Sequence, residues 1–270
     1  MATGFGLIYY NVGGRSLEEF FDFAAASGFT HVEIPVSSFW DGSEAALDAA
    51  RRRAEEIRRR LEQLGLAVSA LGAGNDFVYL DEAKIAEQVA RMEKVCELAG
   101  LLGTKVLRTE GGRPKDEVPK ERWVEAMAGC LKRCLPFVER DGYYLAVDNH
   151  GHVTNDAELQ VALFKEVGSK HVGANLDTMN YRWAGHSLER INHFYEIIAP
   201  YVLHTHFKDG RGSLKEYVGL ALGEGEIDLD HAVRCLKQAG YSGVWTVEYE
   251  GKTDPVEGYR KGLAWLKSRV

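Results

Sequence analysis

Residues 143–180 read YYLAVDNHGHVTNDAELQVALFKEVGSKHVGANLDTMN. A short apolar run, YYLAVD, ends on Asp148, and a helical stretch with apolar residues at three- and four-residue spacing follows it. A second run, HVGANLD, ends on Asp177, 29 residues after the first carboxylate. After another 29 residues His206 closes a third run, VLHTHF, and Glu248 closes a fourth, VWTVE. Side chains two apart on a strand share a face. Ala146 therefore goes with Asp148, Gly173 and Asn175 with Asp177, His204 with His206, and Thr246 with Glu248. The opposite faces carry Leu145, Val147, Val172, Leu176, Leu203, Phe207, Trp245 and Val247. Those apolar faces suit an outer layer of helices, and the small and polar faces suit the interior of a closed barrel.

Working outward, the same strand–helix alternation extends over the whole chain. FGLIYY is a first strand, and Ser16 opens a capping-box helix that runs to Ser27. THVEIP and a charged helix over residues 43–64 follow, then LAVSAL with a helix over 81–99. TKVLRT leads to a helix over 119–139 entered through Pro119. Helices over 156–167 and 187–198 follow strands five and six, and a long Gly-rich loop separates strand seven from the helix starting at Asp228. Asp254 caps the last helix, with Pro255 in its first turn. Eight units in 270 residues match a (β/α)8 barrel. A doubly wound open sheet is the alternative, and the polar-inside alternation favours the barrel. No linker interrupts the series, so residues 1–270 are read as one α/β domain. In such barrels the active site lies at the C-terminal strand ends, where Asp148, Asp177, His206 and Glu248 fall.

Composition narrows the functional classes. A net charge of −7 without a basic run argues against nucleic acid or an anionic membrane as main partner. The N-terminal stretch MATGFGLIYYNVGG lacks the charged and apolar regions of a signal peptide, and no apolar run reaches the roughly 18 residues of a membrane span. The four cysteines, Cys96, Cys130, Cys134 and Cys235, lie in helical patterns without zinc-site spacing. They read as reduced core thiols of a cytoplasmic protein.

Three carboxylates and one imidazole at four successive strand ends make a ligand set for one divalent cation. Oxygen-rich with a single nitrogen, it suits Mn²⁺, Mg²⁺ or Co²⁺ better than a thiolate-seeking ion, with Zn²⁺ as an alternative. Taken singly, each residue has a local reading: Asp177 before Thr178 as a cap, His204 as an interior hydrogen-bonded histidine. The four together favour the metal site.

With GFTHVEI at strand two, LAVDNHG at five, NLDTMN at six, HTHFKD at seven and GEGEIDLDHAVRCLKQAGYSGVWTVEYEG across the last units, the chain resembles the xylose isomerase-like TIM barrel family, the sugar phosphate isomerase/epimerase group. The resemblance spans nearly the whole chain. It implies one divalent metal, usually Mn²⁺, held by Asp148, Asp177, His206 and Glu248. It also implies proton abstraction beside a carbonyl through an enediolate, with Glu248 and Asp148 as the acid/base carboxylates. Two departures stand out. Asp148 replaces the family's usual glutamate, so its carboxylate reaches about 1.5 Å less and Glu248 is expected to carry the proton transfer alone. Asn180 stands where several members have a histidine that touches substrate or a second metal. With no extra histidine on strands three and four, this argues against the three-metal DNA-repair nuclease branch.

Further candidates for substrate contact are His150, Glu33, Trp40, Lys208 and Asn180. His150 shares a face with Asp148 and lies beyond it. Glu33, inward on strand two with His31, is either a substrate contact or half of an interior salt bridge. Phe39 and Trp40 form an aromatic wall against a sugar ring or pack the loop. Lys208 either reaches a developing oxyanion or lies on the surface. Arg108 and Glu110 read as an inward ion pair of strand four, Asn75-Asp76-Phe77 as turn chemistry, and His204 as an interior residue one layer below His206. The leading function is a metal-dependent isomerase or epimerase acting on a small-molecule sugar or keto-sugar. A lyase on the same scaffold (a keto-inositol-type dehydratase or a 3-oxo-glycoside or C-glycoside eliminase) and a non-catalytic sugar-binding barrel are the competing readings. A homo-oligomer and pairing with a small subunit are both left open.

Overall fold

The computed structural model describes residues 3–270; Met1 and Ala2, which begin the N-terminal stretch read above, lie outside the described residues. Eight parallel strands close a barrel: β1 (Phe5–Ile8), β2 (His31–Pro35), β3 (Ala67–Gly72), β4 (Val106–Glu110), β5 (Tyr144–Asp148), β6 (Val172–Asp177), β7 (Val202–Phe207) and β10 (Trp245–Val247). They follow chain order round the barrel, and β1 pairs with β10 to shut it. This is a (β/α)8 TIM barrel, and the open-sheet alternative falls.

The helices are α1 (Leu17–Ser27), α2 (Leu47–Gln63), α3 (Glu82–Leu102), α4 (Trp123–Asp141), α5 (Ala157–Val167), α6 (Asn180–Trp183), α7 (Leu188–Ile198), α8 (Leu229–Gln238) and α9 (Pro255–Lys267). Ser16 and Glu19 make the reciprocal capping box, and Asp81, Asp156, Ser187, Asp228 and Asp254 each accept a backbone N–H at a helix start. The outward strand faces meet these helices as alternation requires. Phe207 lies 5.3 Å from Trp245 and 6.4 Å from Trp265, ring centre to ring centre. A Cβ on Gly262 would stand 2.6 Å from Val247, so α9 packs as close as it does because that position carries no side chain.

Three local expectations change. α2 starts at Leu47 rather than at residue 43: Ser43 instead holds a turn, its Oγ accepting from the Ala46 N–H and its carbonyl taking the Trp40 indole N–H. Residues 120–122 form a 3-10 turn before α4 rather than the first turn of that helix. The loop after β7 contains an antiparallel hairpin, β8 (Asp209–Arg211) with β9 (Val218–Leu220). Its organiser is the Asp209 carboxylate, which accepts the N–H groups of Gly210, Gly223 and Gly225 at 2.8, 2.9 and 3.0 Å. All four cysteines are buried free thiols, and burial pushes Cys96 and Cys130 up to about 12. Among the described residues no helix is long and apolar enough to cross a membrane.

Candidate metal centre

Strand register builds the centre. Asp177 is directly opposite His206, and His206 opposite Thr246, so the residue after β10, Glu248, arrives beside them. The N–H of Glu248 donates to the Phe207 carbonyl and holds it in line with β7. Asp177, His206 and Glu248 bring one ligand atom each within 4.8 Å of one another, and all three are buried.

Asp177 divides its two oxygens. Oδ1 accepts the N–H groups of Met179 and Asn180, both at 2.8 Å, and so starts the short α6. Oδ2 is buried without a hydrogen-bond partner. The capping and metal-ligand readings of this aspartate are thus compatible, one per oxygen.

His206 is oriented from behind. Its Nε2–H donates to Glu33 Oε2 at 2.7 Å, and His204 Nε2–H donates to the same oxygen at 2.7 Å. A carboxylate can only accept, so both nitrogens carry hydrogen. Nδ1 of His206 then faces the centre, 3.0 Å from Glu248 Oε2 but off hydrogen-bond geometry and without a partner. A carboxylate behind a histidine, fixing its tautomer and leaving the other nitrogen toward a cation, is the usual support for a metal-ligating imidazole. Burial alone would lower the basicity of His206, but Glu33 and Glu248 outweigh it and raise its pKa well above the ordinary value. Burial likewise opposes ionisation of Glu33, and the two histidines reverse this and hold its carboxyl well below the usual range. Glu33, His204 and His206 also lie close enough to share an ion; the two hydrogen bonds to one oxygen account for their closeness without one.

Lys208 is the residue whose environment differs most from a surface lysine. It is 2% exposed. Its Nζ lies 2.9 Å from Asp177 Oδ2, 3.2 Å from Glu248 Oε1 and 3.5 Å from Glu250 Oε1. Burial opposes the charge, yet the carboxylates raise the pKa well above normal, so the ammonium persists. Glu248 is pushed up by burial, but Lys208 and His206 hold it well below the ordinary range and ionised. Asp177 goes the other way: burial, reinforced by Glu248 and Asp148 against the pull of Lys208, pushes its carboxyl up to about 7.

Asp148, the fourth expected ligand, lies apart from this trio. Its Oδ2 takes the Arg108 guanidinium, and its Oδ1 accepts Asn175 Nδ2 at 2.7 Å. Burial opposes its charge, but Arg108 lowers its pKa. The sequence reading paired Arg108 with Glu110; that contact is the longer one at 3.4 Å, and Asp148 is the main partner. His150 stands at the mouth, about half exposed, with Nδ1 3.7 Å from Asp148 Oδ2. Asn180 is 6% exposed and its Nδ2 has no partner. Two of the substrate candidates take the alternative place given for each, interior salt bridge and loop packing. Glu33 is spent on His204 and His206 inside the barrel, and Trp40 is 3% exposed, its ring covered by Arg91 at 5.0 Å.

The donor set fits a divalent cation: two carboxylates, one imidazole whose Nδ1 has no hydrogen-bond partner, and an excess of acidic groups over Arg108 and Lys208. Sequence reasoning missed Glu250 beside Lys208. Its position two residues after Glu248, on the same face, was the available signal. A cleft of about 520 Å³ opens at this end of the barrel, lined by Tyr10, Asn11, Glu250, Gly251, Lys252 and Thr253.

A family model described as xylose isomerase-like TIM barrel matches residues 21–269. The L-ribulose-5-phosphate 3-epimerase UlaE of Escherichia coli O157:H7 (strain EC4115 / EHEC) is 24% identical over 256 residues, 92% of this chain and 87% of that protein. Among solved structures, the IOLI protein with a bound zinc atom superposes with a TM-score of 0.81 at 18% identity, covering 99% of this chain and 98% of that one. D-Psicose 3-epimerase crystallised in the presence of D-fructose gives a TM-score of 0.77 at 17% identity, covering 99% of each chain. Both likenesses are of fold.

Proposed function

The chain belongs to the xylose isomerase-like TIM barrel family, and from that premise we propose that it is a divalent-metal-dependent sugar isomerase or epimerase that moves a proton on a carbon beside a carbonyl. The observation that carries this reading is the buried trio of Asp177, His206 and Glu248 at the C-terminal strand ends, its ligand atoms within 4.8 Å of one another and His206 Nδ1 without a hydrogen-bond partner. The relatives named for epimerisation of ribulose 5-phosphate and psicose support the class of reaction.

Asp177, His206 and Glu248 would hold the ion, Mn²⁺ first among the candidates. Bound there, a divalent ion supplies Lewis acidity toward a carbonyl and the neighbouring hydroxyl oxygen. The protein residues do the rest. Glu33 fixes the His206 ring through Nε2 and turns Nδ1 toward the centre. Glu248, ionised and about 8% exposed at the mouth, is the base that takes the proton from carbon. Lys208 places an ammonium beside Glu248 and Asp177, where it stabilises negative charge developing on a substrate oxygen. His150 and Asn180 offer hydrogen bonds to substrate hydroxyls. Arg108 holds Asp148 toward β4 and outside the trio, which supports proton transfer by Glu248 alone. The test is solvent deuterium incorporation, read by NMR, into free ketoses, inosose and 3-keto-glycosides with Mn²⁺ present. At least one substrate should exchange with the wild type, and Glu248→Gln should abolish the exchange with Mn²⁺ in excess. Undiminished exchange in Glu248→Gln refutes the assignment of the base.

A further inference from the structure

Resting on the reading that Asp177, His206 and Glu248 hold a divalent ion, we propose that Arg108 withdraws Asp148 from the ligand set, so that the centre works with three protein ligands and Arg108 sets that number. Four observations carry this. Both Asp148 oxygens are already engaged, one by Arg108 and the other by Asn175 at 2.7 Å. The expected ligand on β7 behaves differently: His206 Nδ1 is buried with no hydrogen-bond partner, and Asp177 Oδ2 meets only the Lys208 ammonium, at 2.9 Å and off hydrogen-bond geometry. The end of β5 is also pinned, because Thr154 Oγ1 donates to the Asp148 carbonyl at 2.6 Å and the His150 N–H donates to the same carbonyl at 3.0 Å. Lastly, Asp148 lies outside the group whose ligand atoms come within 4.8 Å of one another.

The chemistry agrees with the geometry. A guanidinium does not lose its proton in a protein and matches a carboxylate in shape. Breaking a buried pair from one side leaves an uncompensated charge, so Asp148 has no low-cost route from Arg108 to an ion. Held by Arg108 on β4, the Asp148 carboxylate stays outside the group formed by the ends of β6, β7 and β10. Arg108 is thereby a positioning residue: it draws the strand-five carboxylate toward β4 and leaves the ion to β6, β7 and the residue after β10. With one ligand fewer, more of the ion's coordination positions are open to two substrate oxygens and water.

Isothermal titration of the full chain with MnCl₂, beside melting of the metal-free protein, tests this. Asp148→Asn should keep the Mn²⁺ dissociation constant within about 3-fold while lowering the metal-free melting temperature, whereas Asp177→Asn, which removes a direct ligand, should weaken binding by at least about 100-fold, the most that loss of an outer partner of a ligand typically costs. Arg108→Met should tighten Mn²⁺ by about 10-fold, because it frees a buried carboxylate, and Arg108→Met combined with Asp148→Asn should return to the wild-type value, as a coupled pair requires. If Asp148→Asn alone does not fold, the double variant carries the same comparison, since it removes both charges. An Asp148→Asn variant that loses Mn²⁺ as Asp177→Asn does overturns the proposal, as does an Arg108→Met variant that binds no tighter. A wild type that binds no divalent ion at all removes the underlying functional reading instead, so the two failures are distinct.

Discussion

Replacing Lys208 by methionine removes an ammonium from among three carboxylates while keeping the side chain's volume. The contacts at 2.9, 3.2 and 3.5 Å are each worth about 5 kcal/mol at an effective dielectric constant of about 20. Against that attraction stands the cost of burying the ammonium, several kcal/mol, so breaking such a buried arrangement from one side costs about 3–5 kcal/mol net. For a chain of 270 residues the unfolding entropy is about 0.57 kcal/mol/K, which turns that cost into a fall in melting temperature of about 5–9 °C. The measurement is scanning calorimetry at pH 8, where Asp177 is ionised, with and without MnCl₂. A dication bound to Asp177 and Glu248 replaces the missing charge, so the variant should recover at least half of its loss when Mn²⁺ is added, and its Mn²⁺ affinity should exceed that of the wild type. Two results would refute the reasoning. A variant melting within about 1 °C of the wild type without metal would mean that Lys208 does not hold the carboxylates together. A gap that widens on adding Mn²⁺ would mean that Lys208 and the ion do not compete for the same charges.

Two further outcomes follow from the same geometry. Asp177 is raised to about 7, so between its unfolded value near 4 and pH 7 the folded chain binds the extra proton and metal-free stability falls as pH rises. An ion displaces that proton, so the rise in melting temperature produced by Mn²⁺ should be larger at pH 8 than at pH 6; a pH-independent rise would remove Asp177 from the ligands. Trp40→Ala, which empties a buried site under Arg91, should cost about 3–5 kcal/mol of stability and leave KM unchanged. A KM that rises about 10-fold or more, the effect of losing a substrate contact worth about 1.4 kcal/mol, with stability unmoved, would restore Trp40 as a substrate wall.

Strand alternation was legible because it needs only the two-residue period of an extended chain. Val147 and Leu176 went outward, and Asp148, Asn175, Asp177, His204 and His206 went inward. Caps were legible for the same reason: Ser16 and Asp254 act on residues two or three positions away, and so does the metal-facing Asp177, whose Oδ1 starts α6. The hairpin after β7 was not legible, because Asp209 finds its N–H donors 14 and 16 residues downstream, at Gly223 and Gly225.

The sequence by itself therefore determined the order of the eight units, the face each side chain takes, and the types of group collected at the strand ends. Only the closed barrel decided which charge answers which. Glu33 on β2 reaches His204 and His206 on β7 across 171 and 173 residues of chain. Lys208 turns inward to carboxylates from β6 and from the residues that follow β10, and Arg108 claims Asp148 from the adjacent strand. The physical reason is that pairing among buried charges depends on distances of about 3 Å across a closed interior of low dielectric. Strand register and barrel closure set those distances, and neither has a local signature in the chain.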